Sequence, residues 1–142
     1  MHTFHQIWIH LVWSTKYRNP LLNKPIRKRV FQFMRHKANE HEYTIDLING
    51  VEDHVHCLIC LKPTEALSDV VKNIKGSSSR WVNEMQLTDE HFTWQVGYGA
   101  ISVSPRNVQQ VRNYILKQEE NHQKKGFEEE MKEFKAAFYY DA

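Results

Sequence analysis

The run His54-Val55-His56-Cys57-Leu58-Ile59-Cys60-Leu61 is apolar apart from two imidazoles set two residues apart. Alternate side chains of a β-strand leave opposite faces, so a strand through this run puts His54 and His56 on one side of a sheet, roughly 6 to 7 Å apart at the backbone. An otherwise apolar strand carrying two polar rings must give those rings partners. A shared metal ion is one such partner. Hydrogen bonding or stacking on a half-exposed face is the other. A second pair, Tyr114 and Gln118, stands four residues apart in a segment of helical spacing, which places both side chains on one helix face.

The remaining pattern supplies the frame. Thr3 to Trp13 is rich in Ile, Val, Trp and Phe without Gly or Pro and predicts a strand buried on most of both faces. Lys16-Tyr17-Arg18-Asn19-Pro20 is turn-like, and a helix is expected from about 25 to 41, with Pro25 in its first turn and Ile26, Val30, Phe33 and Ala38 inward. Tyr43 to Asn49 predicts a second strand, and Asn49-Gly50 a turn into the histidine strand. Pro63-Thr64-Glu65 opens a second helix with Leu67, Val70, Val71 and Ile74 inward. Its pattern is interrupted by Lys75-Gly76-Ser77-Ser78-Ser79-Arg80 and resumes at Trp81, Val82 and Met85. Phe92 to Val103 predicts a fourth strand or two short ones, with bends at Gly97 and Gly99.

Ser104-Pro105 reads as a capped helix start, with Val108, Val111 and Ile115 as the apolar stripe and Tyr114, Gln118 and His122 as a second stripe, ending by Gly126. Residues 127–142 read as a helical tail, its helix over Phe127 to Ala137 acidic on one face and able to dock on the body or on a partner. The order predicts one α+β domain over residues 1–142, a ferredoxin-like antiparallel sheet sandwiched by helices.

Charge is unevenly spread. The net value is +2, yet Lys16, Arg18, Lys24, Arg27, Lys28, Arg29, Arg35 and Lys37 all precede the first acidic residue, Glu40. That asymmetry suits a polyanion, nucleic acid first, or one solvated basic helix. Cys57 and Cys60 fall on opposite strand faces, which disfavours a disulfide or a zinc pair. With no apolar leader and no membrane-length apolar stretch, a reducing cytoplasm is the expected setting.

Two imidazoles do not complete a metal site. Gln118 and His122 are the candidate third ligands, with Glu52 and Asp53 as carboxylate reserves. Imidazole with amide oxygen and water suits magnesium or manganese, whereas His122 in place of Gln118 would favour zinc. Tyr114 on a helix is ordinarily a packing residue. Beside a metal that polarises a phosphodiester, its phenol becomes a competent nucleophile.

Val51-Glu52-Asp53-His54-Val55-His56, Asn73-Ile74-Lys75-Gly76-Ser77-Ser78, Trp94-Gln95-Val96-Gly97-Tyr98-Gly99-Ala100 through Ser102-Val103-Ser104, and Tyr114-Ile115-Leu116-Lys117-Gln118-Glu119-Glu120 occur in this order. Together they resemble the single-tyrosine HUH (histidine, hydrophobe, histidine) transposases of the insertion-sequence 200/605 group, over nearly the whole chain. The resemblance implies a homodimer with sheets joined across it, acting on single-stranded DNA often folded into hairpins at element ends. It implies a divalent ion (Mg2+ or Mn2+) on His54, His56 and Gln118, and Tyr114 as the nucleophile. It further implies attachment to the 5′-phosphate with release of a 3′-hydroxyl, and a tyrosine helix that reaches the partner's histidines. Asn121-His122 stands where relatives often show two adjacent histidines, which leaves His122 without an implied role.

For DNA contact the sequence offers Lys16, Arg18, Arg27, Lys28, Lys75, Ser77, Ser78, Arg80 and Arg112, with Arg106 beside them, and Tyr17, Trp81 and Tyr98 as stacking rings or core residues. Two other readings share these features. Replication-initiator or relaxase-type nickases carry the histidine motif but are generally larger. A non-catalytic or domesticated nucleic-acid-binding module would use the same sheet, as RNA-recognition domains do, though their submotifs are absent from the sequence.

Overall fold

The structure is a computed structural model and describes residues 2–120, 126 and 128–132. Its elements are β1 (Trp8–Ser14), α1 (Lys24–Glu40), β2 (Thr44–Gly50), β3 (His54–Cys60), α2 (Leu67–Glu84), β4 (Gly99–Val103) and α3 (Val108–Leu116). The strands form one antiparallel sheet in the order β2-β3-β1-β4, the ferredoxin-like arrangement. The strand that carries the histidines and the apolar β1 are the two inner ones, as their burial requires.

The sheet is covered on both sides. Leu11, Trp13, Val55, Cys57 and Ile59 pack under Val30, Met34 and Ala38 of α1 and Val70, Val71 and Ile74 of α2. On the opposite face Leu58 and Val103 meet Val111 and Ile115 of α3. Each fully buried aliphatic chain here contributes ~1.5 to 3 kcal/mol from area removed from water. Cys57 lies in the first core, and burial pushes its thiol pKa up to about 12, so it acts as a small hydrophobe.

Several boundaries differ from the sequence expectation. The first strand starts at Trp8, and residues 2–6 are exposed with no strand, so Phe4 stays 84% accessible. Gly50 ends β2 rather than forming the turn. A Cβ there would lie 2.3 Å from the His54 carbonyl oxygen, so only glycine lets the two strands close at that point. Helix α2 begins at Leu67 and runs unbroken through 75–80. The serine hydroxyls that look like a break instead donate back to carbonyls of the preceding turn, Ser77 to Asn73 and Ser78 to Lys75. Ser78 is fully buried and also accepts the Trp94 indole N–H at 2.9 Å.

Between α2 and β4 the chain makes only an isolated bridge, Trp94 to Thr15, before Gly97 at φ +91 turns it into β4. Ser104 makes no side-chain cap; Pro105–Asn107 is a 3-10 turn leading into α3. Helix α3 stops at Leu116 instead of continuing toward Gly126, because Asn49 of β2 donates its side-chain amide to the carbonyls of Ile115 (2.9 Å) and Leu116 (3.3 Å). The chain turns at Lys117, and residues 118–120 are helical again. Residues 128–132 form one further helical turn, and His122 lies outside the described residues.

Candidate active site

Pairing of β3 with β1 sets His54 opposite Ser14 and His56 opposite Val12. Both imidazoles therefore leave the α3 face of the sheet, their ring centroids 5.2 Å apart and both fully buried. Each is held through Nδ1 by a second side chain: Asp53 Oδ1 lies 2.7 Å from His54, and His10 Nε2 lies 2.9 Å from His56. Fixing Nδ1 turns both Nε2 atoms toward one point, the arrangement seen around metal-binding histidines. Asp53, counted above as a reserve ligand, thus orients His54 instead.

Three further side chains close on that point. Gln118 Oε1 lies 3.2 Å from His54 Nε2, and Gln118 is fully buried. Tyr114, half-buried on α3, sets its ring edge-on to His56 at 5.6 Å and to His10 at 6.0 Å. The third is Glu130. Its Oε2 lies 3.2 Å from His54 Nε2 and its Oε1 3.2 Å from His56 Nε2, while Oε1 accepts the Gln118 amide at 2.9 Å and the Tyr114 hydroxyl. The tyrosine thus lies beside the histidines of its own chain.

The electrostatics follow from burial around one carboxylate. Burial opposes charge on His54, but hydrogen bonds to Asp53 and Glu130 outweigh it and hold its pKa up at about 9. His56 goes the other way: complete burial and the neighbouring His54 outweigh the Glu130 carboxylate and lower its pKa. Burial, with His56 beside it, takes His10 down to about 2, so it is a neutral hydrogen-bonding ring. Burial of Glu130 favours its neutral form, yet the contacts with His54 and His56 prevail and hold it ionised.

The donor set fits a divalent ion. Ligand atoms of His54, His56 and Glu130 all lie within 4.8 Å of one another. His56 Nε2 lies 3.2 Å from Glu130 Oε1 and Glu130 Oε2 lies 3.2 Å from His54 Nε2, and both are buried polar atoms that a cation could share. Imidazole, carboxylate and amide oxygen suit Mg2+ or Mn2+.

The proposed DNA contacts are scattered, and most are engaged internally. Arg112 pairs with Asp46 at the β2 bulge, Arg27 with Glu119 (2.9 Å) and Arg18 with Glu128 (3.1 Å). Lys75 donates to the carbonyls of Gln95 (2.8 Å) and Gly97 (2.7 Å), and its burial lowers its pKa. Ser77 bonds within its helix, and Trp81 stacks on Phe33 at 4.6 Å. Lys16, Lys28, Arg80 and Arg106 are exposed, as are Tyr17 (78%) and Tyr98 (41%). Beside the histidines, a cleft of about 520 Å³ opens between β1, the Gln95–Gly99 segment and the helical turn at 128–132. Among the described residues no helix is long and apolar enough to cross a membrane.

Sequence reasoning missed Glu130 and His10. The acidic face noted on the tail was the one available signal, but Glu128, Glu129 and Glu130 are adjacent and nothing local selects among them.

Known proteins agree with this architecture. The chain is 29% identical over 119 residues to the ISDra2 transposase TnpA of Deinococcus radiodurans, covering 80% of this chain and 85% of that protein. A crystal structure of a candidate transposase from D. radiodurans R1 superposes with a TM-score of 0.68 at 24% identity, covering 83% of this chain and 95% of the other. A REP-associated tyrosine transposase bound to a REP hairpin superposes at 0.58 with 16% identity, over 89% of this chain and 76% of the other. The sequence model of the family described as "Transposase IS200 like" matches residues 3–118, most of the chain, and the chain therefore belongs to the IS200-like transposase family.

Proposed function

We propose that this protein cuts and rejoins single-stranded DNA at element ends through a covalent 5′-phosphotyrosine on Tyr114. The observation that carries the reading is the convergence of the Tyr114 hydroxyl and the Nε2 atoms of His54 and His56 on one buried point. His54, His56 and Gln118 hold a divalent cation. When bound, the cation draws charge from the non-bridging oxygens of the scissile phosphate. Asp53 and His10 keep both imidazoles aimed inward, and α3 holds the phenol on the same side of the sheet.

In the reaction the Tyr114 Oη–P bond forms as the P–O3′ bond breaks; the phenol gives up a proton and the 3′ oxygen gains one. The new ester keeps the energy of the broken diester, so a 3′-hydroxyl attacking later can rejoin strands without a nucleotide cofactor. DNA approaches along the cleft beside the histidines, where Tyr98 offers a stacking surface and the exposed Lys132 a positive charge. A hairpin end is the favoured substrate, as a hairpin is what the structural relative holds. The assembly is a homodimer joined edge to edge, for which β2 and β4 are the edge strands.

The test is a labelled single-stranded end incubated with protein and Mn2+, with products resolved under denaturing conditions. The expected result is a protein-linked band that vanishes with a chelator. A non-catalytic binding module would retain the strand in native gels and give no such band in either condition.

Metal loading should depend on pH with a definite sign. A ligating imidazole must be neutral, whereas the metal-free site keeps His54 protonated up to about pH 9. Apparent Mn2+ affinity is expected to rise by up to ~10-fold per pH unit from pH ~6 toward ~9 and then level off. Calorimetry in buffers of differing ionisation heat should show about one proton released per ion near neutral pH.

A further inference from the structure

We propose that Glu130 is a working part of the active centre, its carboxylate bridging the metal site and the nucleophile so that the Tyr114 phenol is positioned by the same group that helps hold the ion. Glu130 lies outside residues 3–118, the span by which the family is recognised, and no sequence motif marks it. Its side chain is nevertheless only 3% exposed. One oxygen, Oε2, lies 3.2 Å from His54 Nε2. The other, Oε1, faces His56 Nε2 and accepts from both Gln118 and Tyr114. No other carboxylate among the described residues completes a cluster with the two histidines.

The geometry argues for a bridge because each oxygen has a separate task. A carboxylate that merely fastened the chain end would need one partner, and Arg18 already provides a fastening through Glu128. Glu130 instead meets the three proposed metal ligands and the proposed nucleophile. A metal site of two imidazoles and one amide is neutral, and a buried anionic donor offsets two cationic charges where solvent does not reach. The hydrogen bond from Tyr114 then ties the phenol oxygen to a ligand of the ion, which restricts the nucleophile to the neighbourhood of a metal-bound phosphate. The consequence is that the catalytic unit extends to the helical turn at 128–132.

This inference rests on Tyr114 as the nucleophile, and the measurements separate the two. Mn2+ binding to the full-length protein, without DNA, is followed by calorimetry and by loss of the free-ion EPR signal for the wild type, Glu130→Gln and Glu130→Asp. Single-turnover adduct formation is then measured at saturating Mn2+. Expected results are a weakening of Mn2+ binding by ~10-fold or more in Glu130→Gln, adduct formation slowed by ~10- to 100-fold even when the site is filled, and partial recovery of both by Glu130→Asp. Unchanged affinity with an unchanged rate would reduce Glu130 to a structural fastening and overturn the proposal. Faster adduct formation would overturn it too, because the carboxylate would then be occupying the place of the phosphate. An adduct persisting in Tyr114→Phe would instead remove the nucleophile reading beneath it.

Discussion

Tyr114→Phe is expected to abolish the covalent DNA adduct, a fall of at least ~10⁴-fold in its rate of formation, while single-strand binding stays near the wild-type level. The substitution removes one oxygen and little else. The ring's edge-on contacts with His56 at 5.6 Å and His10 at 6.0 Å are apolar in shape and remain available to phenylalanine. The hydrogen bond to Glu130 is lost, but Glu130 Oε1 keeps Gln118 and His56 as neighbours, so the carboxylate is not stranded. The stability change should therefore stay within ~1 to 2 kcal/mol. A drop in adduct without a drop in melting temperature or strand affinity isolates chemistry from folding. An adduct formed at the wild-type rate would show that another side chain attacks.

The parts of this site that could be read in the sequence are those whose spacing matches a backbone period. His54 and His56 share a face because β3 alternates, and that inference needs no knowledge of the rest of the fold. Tyr114 and Gln118 were legible for a related reason, although α3 ends at Leu116 and Gln118 follows a turn. The break is imposed by Asn49, more than sixty residues earlier in sequence, and no local pattern at 116–118 announces it. The i, i+4 pair converges on Glu130 despite that break, since the turn at Lys117 still returns the chain toward the sheet.

What stayed hidden depends on contacts between segments distant in sequence. His10 sits in a strand whose neighbours are apolar, and only the β1–β3 register shows that it stands beside His56. The same blindness affected charge. Arg112 and Arg27 read as phosphate contacts, but folding brings Asp46 and Glu119 against them. The serine-rich stretch of α2 is the converse case: its polar residues look like an interruption, yet their hydroxyls bond the helix's own carbonyls. Propensity and pattern describe a segment in isolation; a buried polar residue is decided by whatever arrives to satisfy it.

His56→Ala should produce the second large effect, and its pairing with Asp53→Asn separates ligation from orientation. His56 is fully buried, with Nδ1 on His10 and Nε2 toward Glu130. Truncation removes a donor outright, so Mn2+ affinity is expected to fall by more than ~100-fold, beyond the 10- to 100-fold typical of losing an orienting partner. Adduct formation should then be undetectable at Mn2+ concentrations that saturate the wild type, and raising the ion should restore little, because the remaining donors no longer fix its position. Asp53→Asn leaves both imidazoles in place and only loosens the 2.7 Å contact that aims His54. Its loss of affinity should be smaller, and excess Mn2+ should recover most of the activity. Folding offers an independent check: His56→Ala removes a fully buried ring and its 2.9 Å contact with His10 Nε2, which lowers the melting temperature of the metal-free protein. If both variants lost metal affinity equally and both recovered with excess ion, His56 would be an orienting residue and the ion would sit elsewhere.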